Sequence, residues 1–185
     1  MKKVIYTLIT CLSCCLFSAC GEDDNTDYTW KDANEAAFNA LESNPDYKKA
    51  EIPNGPGFVY YKVLQESTIV DPVKPFYTSV VRVNYRGRLY NGAIFEDALV
   101  KPITFKIDGG NFYLNGGSVT GISVITGWRI ALQNMKEGEK WEVHIPWELG
   151  YGATGSGNIP GYTTLIFEIE LEKIVQLYPL PQGES

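Results

Sequence analysis

Leu165-Ile166-Phe167-Glu168-Ile169-Glu170-Leu171-Glu172 is a strand written in alternation. Leu165, Phe167, Ile169 and Leu171 fall on one side; Glu168, Glu170 and Glu172 fall on the other, with Ile166 an apolar member of that outer set. Successive side chains of a strand point to opposite faces, so this pattern specifies one dry face and one wet one. Upstream, Val81, Val83 and Tyr85 alternate with Arg82, Asn84 and Arg86, and Trp141, Val143 and Ile145 alternate with Glu142 and His144. Phe58 to Leu64 is rich in aromatic and β-branched residues, and Ile103 to Ile107 reads as a further short strand. Asn91-Gly92 supplies a tight hairpin turn. Thr126 to Asn134 has helical spacing instead, with Trp128, Leu132 and Met135 on one side and Gly138 as its stop. Antiparallel strands with one short helix late in the chain give an α+β class, a sheet wrapped on a single helix.

The other end of the chain reads as an export signal. Lys2 and Lys3 precede a mostly apolar run that ends in Leu16-Phe17-Ser18-Ala19-Cys20, the layout of a secretory signal with small residues before the cut. A cysteine directly after those residues resembles the bacterial lipobox, which implies lipidation at Cys20. The four cysteines are Cys11, Cys14, Cys15 and Cys20. A mature domain built from the rest therefore has no disulfide, thiol nucleophile or thiolate ligand. The expected organisation is a signal peptide at 1–19, an acidic tether with a short helix at 20–50, and a folded domain at 51–178. Within that domain a Gly-rich insertion occupies about 108–121, with a small hairpin around Phe112-Tyr113-Leu114, and 179–185 form a tail.

In the tether, residues 21 to about 29 are polar and read as disordered. A helix is expected from Ala33 to Leu41, capped by Asp32 with Glu35 in the capping-box position and stopped by Asn44-Pro45. Glu22, Asp23 and Asp24 read as a solvated tether, or as a sorting signal for surface lipoproteins. The net charge is −6, becoming −8 without Lys2 and Lys3, and no basic stripe is present, so nucleic acid is not an expected partner. An acylated Cys20 would hold the protein at a membrane, since anchoring scales with buried CH₂ groups. The expected location is the cell envelope, at the outer membrane on its periplasmic or surface-exposed side.

Acid–base and nucleophilic chemistry have little to build from. His144, the single histidine, falls on the polar side of its strand and is expected at the surface. A nucleophile–His triad or a zinc site lacks its parts, and no metal or cofactor is expected. Glu96 and Asp97 are adjacent on a strand and point to opposite faces, which argues against a carboxylate pair.

What remains is aromatic and apolar, and it falls into ordered motifs. Val83-Asn84-Tyr85-Arg86-Gly87-Arg88-Leu89 with Asn91-Gly92 and Phe95, then Val124-Ile125-Thr126-Gly127-Trp128, then Met135-Lys136-Glu137-Gly138-Glu139-Lys140, come first. Ile145-Pro146, Tyr151-Gly152-Ala153-Thr154-Gly155, Ile159-Pro160 and Thr164 to Leu171 follow in order. Together they resemble the FKBP-type peptidyl-prolyl isomerases over roughly residues 57–175. The resemblance implies a half-barrel sheet curled around the short helix with a proline-sized pocket between them. It implies Trp128 as the pocket floor and Tyr85, Phe95, Val124, Ile125, Ile159 and Phe167 as apolar walls. Tyr151 and the Ile125 N–H would donate to substrate carbonyls, and Glu96 would stand at the family's acidic position, which is usually Asp.

This sequence departs from the pattern at the rim. After Glu96 the connection is shorter by about two residues, and the arginine that commonly pairs the acid has no counterpart. Ile103 replaces a rim aromatic, the tip at Ser156-Gly157-Asn158 is shorter by about one residue, and residues 106–123 are about a dozen longer than in compact members. The expected function is isomerisation of prolyl bonds in exported polypeptides. The alternative is a non-catalytic binding module whose insertion recognises a partner protein or surface component.

Overall fold

The computed structural model describes residues 25–177. The expected signal peptide, Cys20 and the expected tail at 179–185 lie outside them. In chain order the elements are α1 (Asn25–Asn39), β1 (Lys48–Glu51), β2 (Phe58–Gln65), β3 (Val80–Leu89), β4 (Ile94–Asp97), β5 (Ile103–Lys106), β6 (Phe112–Leu114), β7 (Gly117–Val119), α2 (Thr126–Asn134), β8 (Lys140–Ile145) and β9 (Leu165–Gln176). Short 3₁₀ turns follow α1 at Ala40–Ser43 and β8 at Trp147–Leu149.

β9 lies inside the sheet, antiparallel to β8 on one side and to β3 on the other. The sheet runs β1-β2-β8-β9-β3-β4, and β5 pairs with the first half of β3 while β4 pairs with the second. Leu165, Phe167, Ile169 and Leu171 are all buried, as their alternation requires. Across the strands Trp141 and Tyr85 both register with Ile169, and Val143 and Gly87 both register with Phe167. Those rows face α2. The helix is buried over more than the one expected stripe, with Ile130 and Ala131 as dry as Leu132, because the sheet curls around it.

Two close approaches fix this geometry. A Cβ on Gly127 would stand 2.3 Å from Ile145, so glycine lets the start of α2 press onto β8. A Cβ on Gly87 would stand 2.4 Å from the Phe95 ring and 2.9 Å from that of Phe167, so the two rings meet over a bare backbone. Gly138, with φ at +86°, makes the turn that releases the chain from α2 into β8.

The N-terminal helix differs from the sequence expectation. It runs from Asn25 instead of beginning at Ala33, and Asp32 is inside it and does not cap it. It ends as expected before the extended Asn44. The cause is tertiary: α1 docks on the outer face of the sheet through polar anchors that an apolar stripe does not reveal. Asn34 is fully buried; its Oδ1 accepts from the Thr164 N–H at 2.8 Å, and its carbonyl accepts from the Thr164 hydroxyl at 3.2 Å. Trp30 Nε1 donates to Thr163 Oγ1 at 3.0 Å, and Trp147 Nε1 donates to Glu35 at 3.0 Å. Phe38 packs on Phe58 and Tyr60 with centroids at 5.8 and 4.9 Å. The border placed between residues 50 and 51 falls inside β1, which is paired with β2.

His144 is also corrected. It lies on the outer face as the alternation requires, yet it is only 9% exposed. Tyr47, just before β1, covers it edge-on at 5.1 Å. Glu142 accepts from the Tyr47 hydroxyl at 2.5 Å and from Arg88 at 2.6 Å, and sits 2.9 Å from His144 Nε2. The outer face is thus a second, polar packing surface.

Candidate active site

Trp128 closes the first turn of α2 beneath the end of β3 and the start of β9. Its indole stands edge-on to Tyr85 (4.9 Å, 86°) and to Phe167 (5.3 Å, 90°), with Phe105 at 6.0 Å. Ring quadrupoles favour such edge-to-face contacts, so the floor is rigid without any hydrogen bond to hold it. Above it opens a cleft of about 180 Å³. Sites for drug-sized ligands span roughly 300–1,000 Å³, so this one is sized for a small ring.

Of the residues singled out in the sequence, Tyr85, Glu96, Val124, Ile125, Trp128, Tyr151 and Phe167 line the cleft. Phe95 and Ile159 are placed elsewhere. Phe95 stacks edge-on against Phe167 at 5.5 Å, across Gly87. Ile159 is buried in the main core, where its N–H and C=O both bond Ser156 at the base of the loop tip. Ile103, Ile122 and Ser123 complete the wall. Ile103 was visible only as a departure; Ile122 and Ser123 follow a glycine-rich run with no period to read.

The polar inventory of the cleft is small. The Tyr85 hydroxyl donates a short hydrogen bond to Glu96. Burial first, then that bond and the carboxylate's charge, push the Tyr85 phenol well above its ordinary range. Burial and the charge of Glu96 raise Tyr151 as well. Both phenols therefore remain protonated donors at neutral pH. Among the described residues no arginine is paired with Glu96, and Tyr151, 36% exposed, reaches the cleft from the turn after β8.

The insertion is ordered and stands aside. β6 and β7 form an antiparallel hairpin with Phe112 buried, and Gln176 Nε2 at the end of β9 donates to the Tyr113 carbonyl at 2.7 Å. No residue of 108–121 lines the cleft. A larger cleft, about 340 Å³, lies between α1 and the 3₁₀ turn at Trp147–Leu149. It contains none of the motif aromatics around Trp128, and Glu35 on its wall is engaged by Trp147.

Residues 72–172 match the family model described as FKBP-type peptidyl-prolyl cis-trans isomerase. The chain belongs to this family. A 22 kDa FKBP-type peptidyl-prolyl cis-trans isomerase of Escherichia coli is 34% identical over 138 residues, covering 73% of this chain and 58% of that one. An FK506-binding protein of Neisseria meningitidis is 39% identical over 99 residues, covering 52% of this chain and 80% of that one. Among solved structures, a peptidyl-prolyl cis-trans isomerase from Pseudomonas syringae pv. tomato superposes with a TM-score of 0.64 at 33% identity, over 84% of this chain and 100% of that one. FkpA of Escherichia coli gives 0.64 at 26% identity, over 83% and 62%. The chain spans 58%, 41% and 34% of the first curated relatives it matches. The FKBP-like α+β fold expected from the motifs is the fold observed.

Proposed function

We propose that the chain catalyses cis/trans isomerisation of prolyl bonds in exported polypeptides. One observation carries this: an aromatic cleft of single-ring size, floored by Trp128 and supplied with only Tyr85, Glu96 and Tyr151 as polar side chains beyond the rim serine. Rotation about a peptide bond faces a barrier of ~18–20 kcal/mol because resonance favours the planar amide. In the twisted form the C–N bond loses double-bond character, and the carbonyl becomes less polar and less dependent on water. A water-poor wall therefore favours the twisted amide over the planar one, which is differential binding of the transition state. The proline ring enters over Trp128, between Tyr85 and Phe167. Tyr151 and the Ile125 N–H donate to the flanking carbonyls and hold the chain while the bond turns. Each ~1.4 kcal/mol of differential stabilisation is worth a factor of ten in rate.

The reading is tested by following exchange of a short Xaa-Pro peptide with the wild-type chain, Tyr151→Phe and Phe167→Ala. Exchange faster than the uncatalysed rate, lowered by both substitutions, supports it; no acceleration, or acceleration indifferent to both, refutes it. The binding-module alternative gains nothing from the hairpin's position away from the cleft.

Support for an anchored, envelope location comes from the sequence before residue 25. Ser18-Ala19-Cys20 after an apolar run reads as a lipidation signal, and prolyl isomerisation is slow enough to limit folding of exported chains. Cys20→Ser should release the protein from the membrane fraction of its native host and abolish palmitate incorporation. Continued membrane association and labelling in that variant would rule the anchor out.

A further inference from the structure

The chain has four arginines. Arg82, Arg86 and Arg88 are each paired with a carboxylate, on Glu172, Asp97 and Glu142. Among the described residues Arg129 has none within ion-pair distance. It follows Trp128 directly in the first turn of α2, in a protein of net charge −6. Its Nη2 donates to Ser123 Oγ at 3.1 Å, and Ser123 lines the cleft. Its Nε is buried and has no hydrogen-bond partner among the described residues.

A buried donor without a partner costs folding free energy, and no ion pair offsets that cost here. The partnerless Nε and the unpaired charge set this arginine apart from the other three. Ser123, which orients it, is itself braced by the base of the insertion: a Cβ on Gly109 would stand 3.4 Å from Ser123 Cα, and Asn111 Oδ1 accepts from the Gly121 N–H at 2.9 Å. Charges at that base, Lys106 and Asp108, neutralise each other at 2.8 Å. Glu96, the acid of the cleft, is engaged by the Tyr85 hydroxyl. The guanidinium of Arg129 is left unneutralised beside the cleft wall, and its planar fork matches a carboxylate.

We infer that Arg129, oriented by Ser123, is a specificity residue that binds an acidic side chain flanking the prolyl bond of the client. The inference rests on the isomerase reading and names a substrate class for it: polypeptides with Asp or Glu directly before or directly after the proline. The insertion then acts on the cleft through the base that holds Ser123, with its hairpin standing aside.

The test uses the full chain and two peptide series, one varying the residue before proline and one the residue after it, each with Glu, Gln and Lys. The quantity read is the Glu-to-Gln ratio of kcat/KM. A partly exposed ion pair predicts a ratio of about two to five in at least one series at low salt, falling towards one near 1 M salt, where screening reaches ~3 Å. Arg129→Met should bring the ratio to one, Arg129→Lys should keep part of it, and Lys peptides should be the poorest with the wild-type chain. A wild-type ratio of one in both series overturns the inference, as does a preference that survives Arg129→Met; turnover of the Gln peptides then leaves the isomerase reading standing. If no peptide is turned over, that reading fails separately. The same ratio taken from peptide affinities, followed by tryptophan fluorescence, then decides the fate of the Arg129 site.

Discussion

The two helices sit on opposite faces of one sheet and are held by opposite means. α2 lies in the concave face and is fixed by apolar side chains: Trp128, Ile130, Ala131 and Leu132 are buried, and the rings around Trp128 meet edge to face. α1 lies on the outer face and is fixed by one buried ring, Phe38, together with the hydrogen bonds of Trp30, Asn34 and Glu35. Apolar packing shapes the cleft over Trp128. Polar anchoring places a helix beside a larger cleft that none of the rings around Trp128 line. The inner face holds the cleft to which the proposed activity is assigned, and the outer face ties the N-terminal segment to the domain.

The sharpest way to break this contrast is at the floor. Trp128→Ala removes a large ring from the core and should cost about 3–5 kcal/mol of stability, read as a lower urea midpoint, and should eliminate catalysis in whatever fraction remains folded. Next comes the outer-face acid. Hydrogen bonding from His144 first, then from Tyr47, with the charge of Arg88, lowers the Glu142 carboxyl to about 2 against the opposing effect of burial. A depressed carboxylate contributes stability that is present above its unfolded value and lost as pH falls through its folded one. The wild-type advantage over Glu142→Gln should thus be present near pH 5, where the carboxylate is charged in both states. It should shrink as pH drops towards 2, in unfolding titrations at matched pH; an advantage that grows on acidification would show the sign to be wrong.

Asn34→Ala is the smaller, cleaner test of the outer face. It removes one acceptor from a fully buried site and leaves the Thr164 N–H without its bond, for about 1–3 kcal/mol. Hydrogen exchange should then report faster opening of α1 with the α2 amides unaffected. Last is Lys62→Ala. It breaks the exposed pair with Asp46 at 3.2 Å and should change stability by less than about 1 kcal/mol.

The same contrast governs what could be read in advance. The inner face follows alternation, so Leu165, Phe167, Ile169 and Leu171 announce their strand, and the ordered motifs announce the curl around Trp128. The outer face follows no hydrophobic period. Asn34 and Trp30 are polar or amphipathic anchors four residues apart, and nothing in their spacing reveals Thr163 and Thr164 as partners. His144 shows the limit of the alternation rule: it gives the face and not what covers that face. The cleft was legible at its floor and less so at its edge. Phe95 belongs to a matching motif and meets the cleft through Phe167, Ile159 sits in the main core, and Ile122 and Ser123 enter from a glycine-rich run that carries no period.

The division of labour between the two faces can be measured in one experiment. Exchange of an Xaa-Pro peptide is followed at low temperature with Phe167→Ala and Asn34→Ala, each at a temperature where it remains folded. The cleft variant should lose about tenfold or more in kcat/KM, corresponding to at least ~1.4 kcal/mol of transition-state stabilisation, while the outer-face variant should lose stability and keep its rate. Equal losses in both variants, or none in Phe167→Ala, would contradict the claim that the aromatic cleft is where the prolyl bond turns.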